Sequence, residues 1–376
     1  MRRLKKIIYW ILGILVLLNI VILFTGNSYL YKTFYYLGSS IDDYKIFENR
    51  TVSAGTYIPI PEAENYNKIK LDTSFRKILR EFKTIAFLVI KNDSLAYEEY
   101  WDDYNADSYS GSFSVAKSII SLLIGIAIDE GKIKNVGQAV SDFIPEYKTG
   151  LNAKLTIRDL LTMTSGFDWN ESYYNPFTLI AKAYFGNDLT GIIKNLKVIE
   201  DPGYHYNYQS GNQLVLAYIL QKATGKTLSE YASEKLWKPL GAKHDALWSI
   251  DHKDGLEKAY CCFNSNARDF SKIGLLALHH GKYNNKQIVS ESYIQESTKP
   301  AELKNGTINE EYGYSWWQAK AFGEHFFYAR GILGQYIIVI PQKNLVIVRL
   351  GKEVIKYNNR IAAEVIAEHT ISNFYK

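Results

Sequence analysis

SFSVAKSIISLLIGIAIDEGKI, residues 112–133, is the stretch on which the reading of this 376-residue chain turns. From Ser114 the residues are apolar on nearly every face until Glu130 and Gly131, and a glycine just past the last periodic position is a helix stop. A helix apolar all round belongs inside a domain. Ser114 opens it, and Lys117 follows one turn later on the same side, which brings an amine within reach of a hydroxyl. An ammonium among apolar neighbours is costly, so burial lowers the lysine pKa, while a helix amino terminus favours developing negative charge. The pair suits a nucleophile and its base.

Spacing alone leaves another reading open, a lysine snorkelling from the helix end, and S-x-x-K arises on the order of once by chance in a chain of this length. It does recur, at Ser74–Lys77, but there Arg76, Arg80 and Glu81 mark a solvated helix whose lysine stays protonated.

Upstream, TIAFLVI and LAYEEYW flank KNDS, a turn composition between β-rich runs, which predicts a hairpin from Thr84. Residues 27–80 are mixed and Tyr-rich, with Pro59 and Pro61 and a helix near Ser74–Phe82; they form a juxtamembrane connection. Downstream, residues 140–280 carry mainly helical patterns. Strands return in YGYSWWQAK, HFFYARG, QYIIVIP and NLVIVRLG before a terminal helix from about Lys356 to Phe374. Strands at both ends with helices between predict an α+β domain over 81–376 with a helical insertion at roughly 140–280.

The amino terminus is a separate problem. Ile7–Phe24 is apolar except for Gly13 and Asn19, and at about 1.5 Å per residue it nearly spans a bilayer. Arg2, Arg3, Lys5 and Lys6 precede it, which favours the cytoplasmic side for the tip and the outside for the rest. The alternative, a cleaved signal peptide, has a shorter apolar region and a small-residue cleavage site, and TGNSYLYK offers none. Residues 1–26 are therefore expected to anchor the protein to a membrane through residues 7–24, with the remainder outside the cytoplasm. Those four basic residues also account for most of the formal charge of +5, so the spread of surplus Lys and Arg that a nucleic-acid partner demands is missing. Cys261 and Cys262, the only cysteines, are adjacent and form at most a vicinal bridge. The seven histidines lack metal spacing, and no G-x-S-x-G, H-E-x-x-H or Walker loop occurs. No metal or cofactor is expected.

Seven blocks in order carry a resemblance over roughly residues 80–376: SFSVAKSIISLLIGIAIDEGKI, LTIRDLLTMTSGFDW, PGYHYNYQSGNQLVLAYIL, WKPLGAKHDALWSID, NSNARDFSKIGLLALHHGK, YGYSWW and ARGILGQYIIVIP. The chain resembles the serine β-lactamase and penicillin-binding-protein superfamily, in its class C and esterase branch, and most of all members similar to 6-aminohexanoate-dimer hydrolase. The resemblance implies an antiparallel sheet flanked by helices with an inserted helical subdomain, and hydrolysis of a small amide or ester through an acyl-enzyme.

Carried over residue by residue, the resemblance implies that Ser114 is the nucleophile and Lys117 its base. The second motif, usually Tyr-x-Asn, falls at Tyr208-Gln209-Ser210, after Pro202-Gly203 and just before an apolar helix. Tyr173-Tyr174-Asn175, Tyr283-Asn284-Asn285 and Tyr357-Asn358-Asn359 match the letters better but lack that context. Tyr208 would relay a proton to the leaving group, and Ser210 stands where an amide side chain is usual. The third motif, Lys-Thr-Gly or His-x-Gly in relatives, aligns with Ala329-Arg330-Gly331. There Gly331 lets substrate approach, and the N–H groups of Ser114 and Ile332 form an oxyanion hole. The basic first residue is absent, and Arg330, next on a strand, should point to the opposite face. Trp169, Tyr173, Tyr174 and Trp316 suggest an aromatic cleft for apolar or flat substrates. Two rival functions remain: a β-lactamase or D-Ala-D-Ala peptidase, and a non-catalytic anchored ligand-binding protein.

Overall fold

The computed structural model describes residues 2–354 and 360–375. The chain begins with helices α1 (Arg2–Phe24) and α2 (Tyr29–Tyr36), strand β1 (Asn49–Val52) and helix α3 (Thr73–Glu81). The hairpin β2 (Thr84–Lys91) and β3 (Ser94–Tyr100) follows, then β4 (Ser110–Gly111) and α4 (Val115–Asp129). Next come α5 (Ile157–Leu161), α6 (Leu179–Phe185), α7 (Leu189–Asn195), α8 (Gly211–Thr224) and α9 (Leu228–Ala232). Strands β5 (Ala246–Ser249) and β6 (Phe263–Ser265) precede α10 (Ala267–Leu278). Short pieces β7 (Lys282–Tyr283), β8 (Lys286–Gln287), α11 (Glu291–Ser297), β9 (Ala301–Glu302) and β10 (Ile308–Asn309) lead to the last strands. These are β11 (Trp317–Ala321), β12 (Glu324–Gly331), β13 (Gln335–Ile340) and β14 (Leu345–Gly351), before α12 (Ala362–Phe374).

The main sheet is antiparallel, in the order β11-β12-β13-β14-β2-β3. The two ends of the chain meet where β14 pairs with β2, Val348 opposite Leu88. Side chains alternate across a strand, and here both faces are covered, which is why QYIIVI is apolar throughout. Ile337 and Val339 pack with Ile120, Leu123 and Ile273 on the α4 and α10 side, while Ile338 and Ile340 pack with Phe75, Leu79 and Ile366 on the α3 and α12 side. The expected hairpin lies at Thr84–Tyr100, and Asn92 and Asp93 take the two positive-φ turn positions at 49° and 63°.

α4 owes its place to burial. Ile119, Ile120, Leu122, Leu123 and Ile124 are fully enclosed, each worth roughly 1.5–3 kcal/mol of transfer free energy, which outweighs the modest helix propensity of its isoleucines. Gly131, at φ 69°, ends it in the left-handed region.

Three expectations change. The insertion is not purely helical: β5 and β6 within it join β1 and β4 in a second sheet, ordered β1-β5-β6-β4. The 27–80 connection is folded onto the domain, with β1 paired to β5 from Asn49 opposite Ser249 to Val52 opposite Ala246, and with Tyr29 and Leu30 of α2 clustered with Phe185 of α6. The start expected for the terminal helix, Lys356, lies outside the described residues; α12 runs from Ala362.

α1 stands apart. It buries none of its residues in the domain, and among the described residues it is the helix long and apolar enough to cross a membrane.

Candidate active site

Ser114 sits at the amino-terminal cap of α4, presented by Phe113, whose φ of 45° places a bulky residue in the left-handed region. Lys117 is 1% exposed, and among the described residues its hydrogen-bond partners include no carboxylate. Its Nζ instead lies 2.9 Å from Ser114 Oγ, 3.1 Å from Ser210 Oγ and 2.9 Å from the Tyr260 carbonyl oxygen. Burial draws its pKa down to about 8, with the Glu171 carboxylate pulling the other way. The second S-x-x-K pair is of another kind: Lys77 is 75% exposed beside Glu81, and Ser74 Oγ donates to Asp72.

Tyr208 arrives from the loop before α8. Its ring centroid lies 5.2 Å from Lys117 Nζ and 5.3 Å from the Trp317 ring. Burial pushes its phenol up, while the Ser114 hydroxyl and the Arg330 guanidinium act in the opposite direction. Gln209 donates through Nε2 to the carbonyls of Phe167 and Trp169, at 2.9 and 3.1 Å, so the middle of the motif ties down the loop that follows α5. Ser210, fully buried, caps α8 and faces Lys117. Of the better-spelled alternatives, Tyr283-Asn284-Asn285 forms the β7–β8 turn and Tyr357-Asn358-Asn359 lies outside the described residues.

β12 delivers the third segment. A Cβ on Gly331 would meet Ser112 O at 2.3 Å and Phe113 Cβ at 3.0 Å, so the strand end lies directly against the backbone that leads into Ser114. Past Ile332 the chain turns sharply through Leu333 at φ 60° and Gly334 at φ 82°. Buried Arg349 secures that turn, donating through Nη1 to Leu333 O at 3.0 Å and Gly334 O at 2.7 Å.

Ala329 is fully buried toward α4 and Arg330 is exposed, as strand alternation requires. Arg330 nevertheless does not point away from the site region. Its guanidinium stacks 5.3 Å above the Trp317 ring, the same ring that flanks Tyr208, because Trp317, opposite Tyr328 on β11, stands on the same face of the sheet as Arg330. The aromatic residues divide. Trp169 is buried near Gly211 at the start of α8, and Tyr173 is half-exposed. Trp316, expected to line the cleft, is enclosed in the core against Phe327, and Tyr174 is fully exposed. Trp317 is the tryptophan beside Tyr208.

Sequence reasoning passed over Glu171. Its carboxylate accepts from Ser210 Oγ at 2.5 Å, Ser210 N at 2.8 Å, Trp169 Nε1 at 2.6 Å and the Tyr173 hydroxyl at 2.6 Å. It passed over Tyr260 as well, whose carbonyl holds Lys117 and which precedes the bonded pair Cys261–Cys262. Among the described residues no group of histidine, cysteine and carboxylate side chains could hold a metal.

A helix-opening serine with a buried lysine one turn on, under the edge of an antiparallel sheet, is the arrangement of serine hydrolases built on the β-lactamase fold. A family model described as Beta-lactamase matches residues 71–363, and the chain belongs to that family. It is 26% identical over 291 residues to 6-aminohexanoate-dimer hydrolase of Paenarthrobacter ureafaciens, covering 73% of this chain and 74% of that one. It is 25% identical over 228 residues, about half of each chain, to a putative D-alanyl-D-alanine carboxypeptidase of Escherichia coli O157:H7. The solved structure of a putative 6-aminohexanoate-dimer hydrolase from Bacillus anthracis shares the fold, with a TM-score of 0.77 at 24% identity over 89% of this chain and 92% of that one.

Proposed function

We propose that the protein is a membrane-anchored hydrolase acting outside the cytoplasm on small amides or esters through an acyl-enzyme at Ser114. The observation that carries this is the pairing of Lys117 Nζ with Ser114 Oγ at 2.9 Å in a site where burial brings the amine to about 8. The neutral amine takes the Ser114 proton as Oγ attacks the carbonyl carbon. Negative charge on the carbonyl oxygen meets the N–H groups of Ser114 and Ile332. Collapse expels the amine or alcohol, which receives a proton by way of Tyr208 and Lys117, and water then cleaves the acyl-serine by the same route.

Ala329 argues against a β-lactam or D-Ala-D-Ala substrate, since no basic side chain stands at that position to hold a carboxylate. Trp317, Tyr208 and Tyr173 favour a flat or apolar acyl group. The apolar helix α1 with its basic tip supports the anchor.

The deciding experiment treats the protein with a fluorophosphonate and then profiles acyl esters, linear amides and a fluorescent penicillin. Labelling of Ser114 with ester or amide turnover is expected. An unlabelled Ser114 would leave the non-catalytic ligand-binding reading in its place.

A further inference from the structure

We propose that Glu171 is a positioning residue that acts on Lys117 through Ser210, fixing which way the Ser210 hydroxyl points and so where the lysine lone pair points. The inference rests on the Ser114–Lys117 assignment above.

Lys117 Nζ has three polar neighbours. The Tyr260 carbonyl can only accept. Ser210 Oγ can donate or accept, and a hydroxyl beside an amine is free to do either. Glu171 removes that freedom: its Oε1 lies 2.5 Å from Ser210 Oγ, and a carboxylate only accepts. The Ser210 proton therefore goes to Glu171, and Lys117 meets the oxygen lone pair at 3.1 Å. A neutral amine has two N–H bonds and one lone pair. With Ser210 and Tyr260 both accepting, the two N–H bonds are used and the lone pair is left facing Ser114 Oγ, the atom whose proton must be removed. Without Glu171 the Ser210 hydroxyl could turn its own proton onto Nζ and compete.

The surroundings hold Glu171 to this task. Trp169 Nε1 and Ser210 N occupy one carboxylate oxygen, and Tyr173 shares the other with Ser210 Oγ. Gln209 pins the backbone at Phe167 and Trp169, just before the carboxylate. Around Lys117 the facing polar and titratable groups are Ser114 from its own helix start, Tyr208 and Ser210 from the α8 approach, Tyr260 from the loop before β6, and Glu171 behind Ser210. Arg330 on β12 stands on the far side of Tyr208. Glu171 is the one of these whose charge supports a protonated Lys117.

An asparagine at 210 would achieve the same polarity with one group, its oxygen accepting from Lys117 and its amide N–H donating to residue 171. The test therefore uses Glu171→Gln alone and combined with Ser210→Asn in the full-length chain. It measures turnover of a p-nitrophenyl ester and the rate of fluorophosphonate labelling at Ser114 across neutral to mildly alkaline pH. Glu171→Gln should lower kcat and the labelling rate by about tenfold to a hundredfold, at the weak end of acid–base effects, with KM little changed. It should also move the acid limb of the labelling profile to lower pH, because the charge that sustains the ammonium is gone. Adding Ser210→Asn should restore at least about tenfold in kcat.

Wild-type kcat and an unmoved acid limb in Glu171→Gln would overturn the proposal, as would a double variant no faster than the single. Should thermal melting show Glu171→Gln unfolded, Ser210→Ala decides: it removes the acceptor while leaving the loop, and wild-type labelling in it would overturn the proposal. A wild-type protein that labels elsewhere than Ser114 would instead sink the hydrolase reading, and this inference with it.

Discussion

A single methyl group on Gly331 would fall 2.3 Å from the carbonyl oxygen of Ser112, so two segments more than two hundred residues apart touch backbone to backbone beside Ser114. No side chain fits between them. Gly331→Ala must push the end of β12 away and carry the Ile332 N–H with it. The expected loss is on the order of a hundredfold in kcat, that of removing one oxyanion donor, with KM and melting temperature changed far less. A variant with wild-type kcat would show that Ile332 has no such role.

Ser114→Ala should abolish turnover and leave the fold intact, because a half-buried residue at the mouth of α4 loses only an oxygen. Ser74→Ala, on the exposed face of α3, should be near neutral in activity. Mass spectrometry of the fluorophosphonate adduct checks both, and an adduct at any other serine would overturn the assignment.

The Tyr208 and Tyr173 hydroxyls can be told apart. Tyr208 stands against Lys117, whereas Tyr173 donates to Glu171. Tyr208→Phe should cost at least about a hundredfold in rate and Tyr173→Phe clearly less. The reverse order, measured with the same ester, would transfer the second motif to Tyr173.

Much of this was legible because burial leaves a pattern. The run after Ser114, the unbroken apolar run in QYIIVI and the KNDS turn each answer to one local constraint, and each lies where the sequence places it. What escaped has no local signature. Glu171 reaches Ser210 across 39 residues from a loop whose shape depends on Gln209. The second sheet is assembled from strands of two to four residues, too short to show a period. Trp316 and Trp317 are adjacent and equally apolar, so nothing in the letters says that the first enters the core and the second flanks Tyr208. Arg330 alternates as a strand residue must, and its link to Tyr208 runs through Trp317 on that same face, a register that the letters alone do not give.

The Lys117 amine offers a pH test with a definite sign. In the unfolded chain a lysine titrates near about 10.4, and burial in the fold brings this one to about 8. Since attack needs the neutral amine, kcat/KM should rise as pH climbs through about 8 and level above it. For stability, the unfolded chain binds the proton between those two values and the folded chain does not. The burial penalty of Lys117 is therefore full below about 8 and relieved as pH rises toward about 10.4. Lys258 and Lys272, buried with pKa values lowered to about 7 and about 8, titrate similarly. The measurement is thus the difference between wild type and Lys117→Met, followed by chemical denaturation. Wild type should gain on the variant as pH rises. A difference independent of pH would mean that Lys117 keeps an ordinary pKa and is no base.

The anchor prediction follows from length and charge. α1 presents its apolar side chains to the surroundings along its whole length, a cost of several kcal/mol in water by area that a bilayer removes. Its four basic residues favour the cytoplasmic face for the tip. Deleting residues 1–26 should release a soluble and active enzyme, because Ser114, Lys117, Glu171 and Tyr208 are all held by elements beyond α2. α1 touches the domain chiefly through Ile22, which packs beside Tyr29, Leu30 and Phe185, and through Asn19, which accepts from Tyr31 at 2.6 Å. Those contacts are small enough to lose. Intact protein should sediment with membranes, and protease added to spheroplasts should digest the catalytic domain. Full-length protein that stays soluble with Met1 in place, or a domain protected from external protease, would remove the anchor and the extracytoplasmic location together.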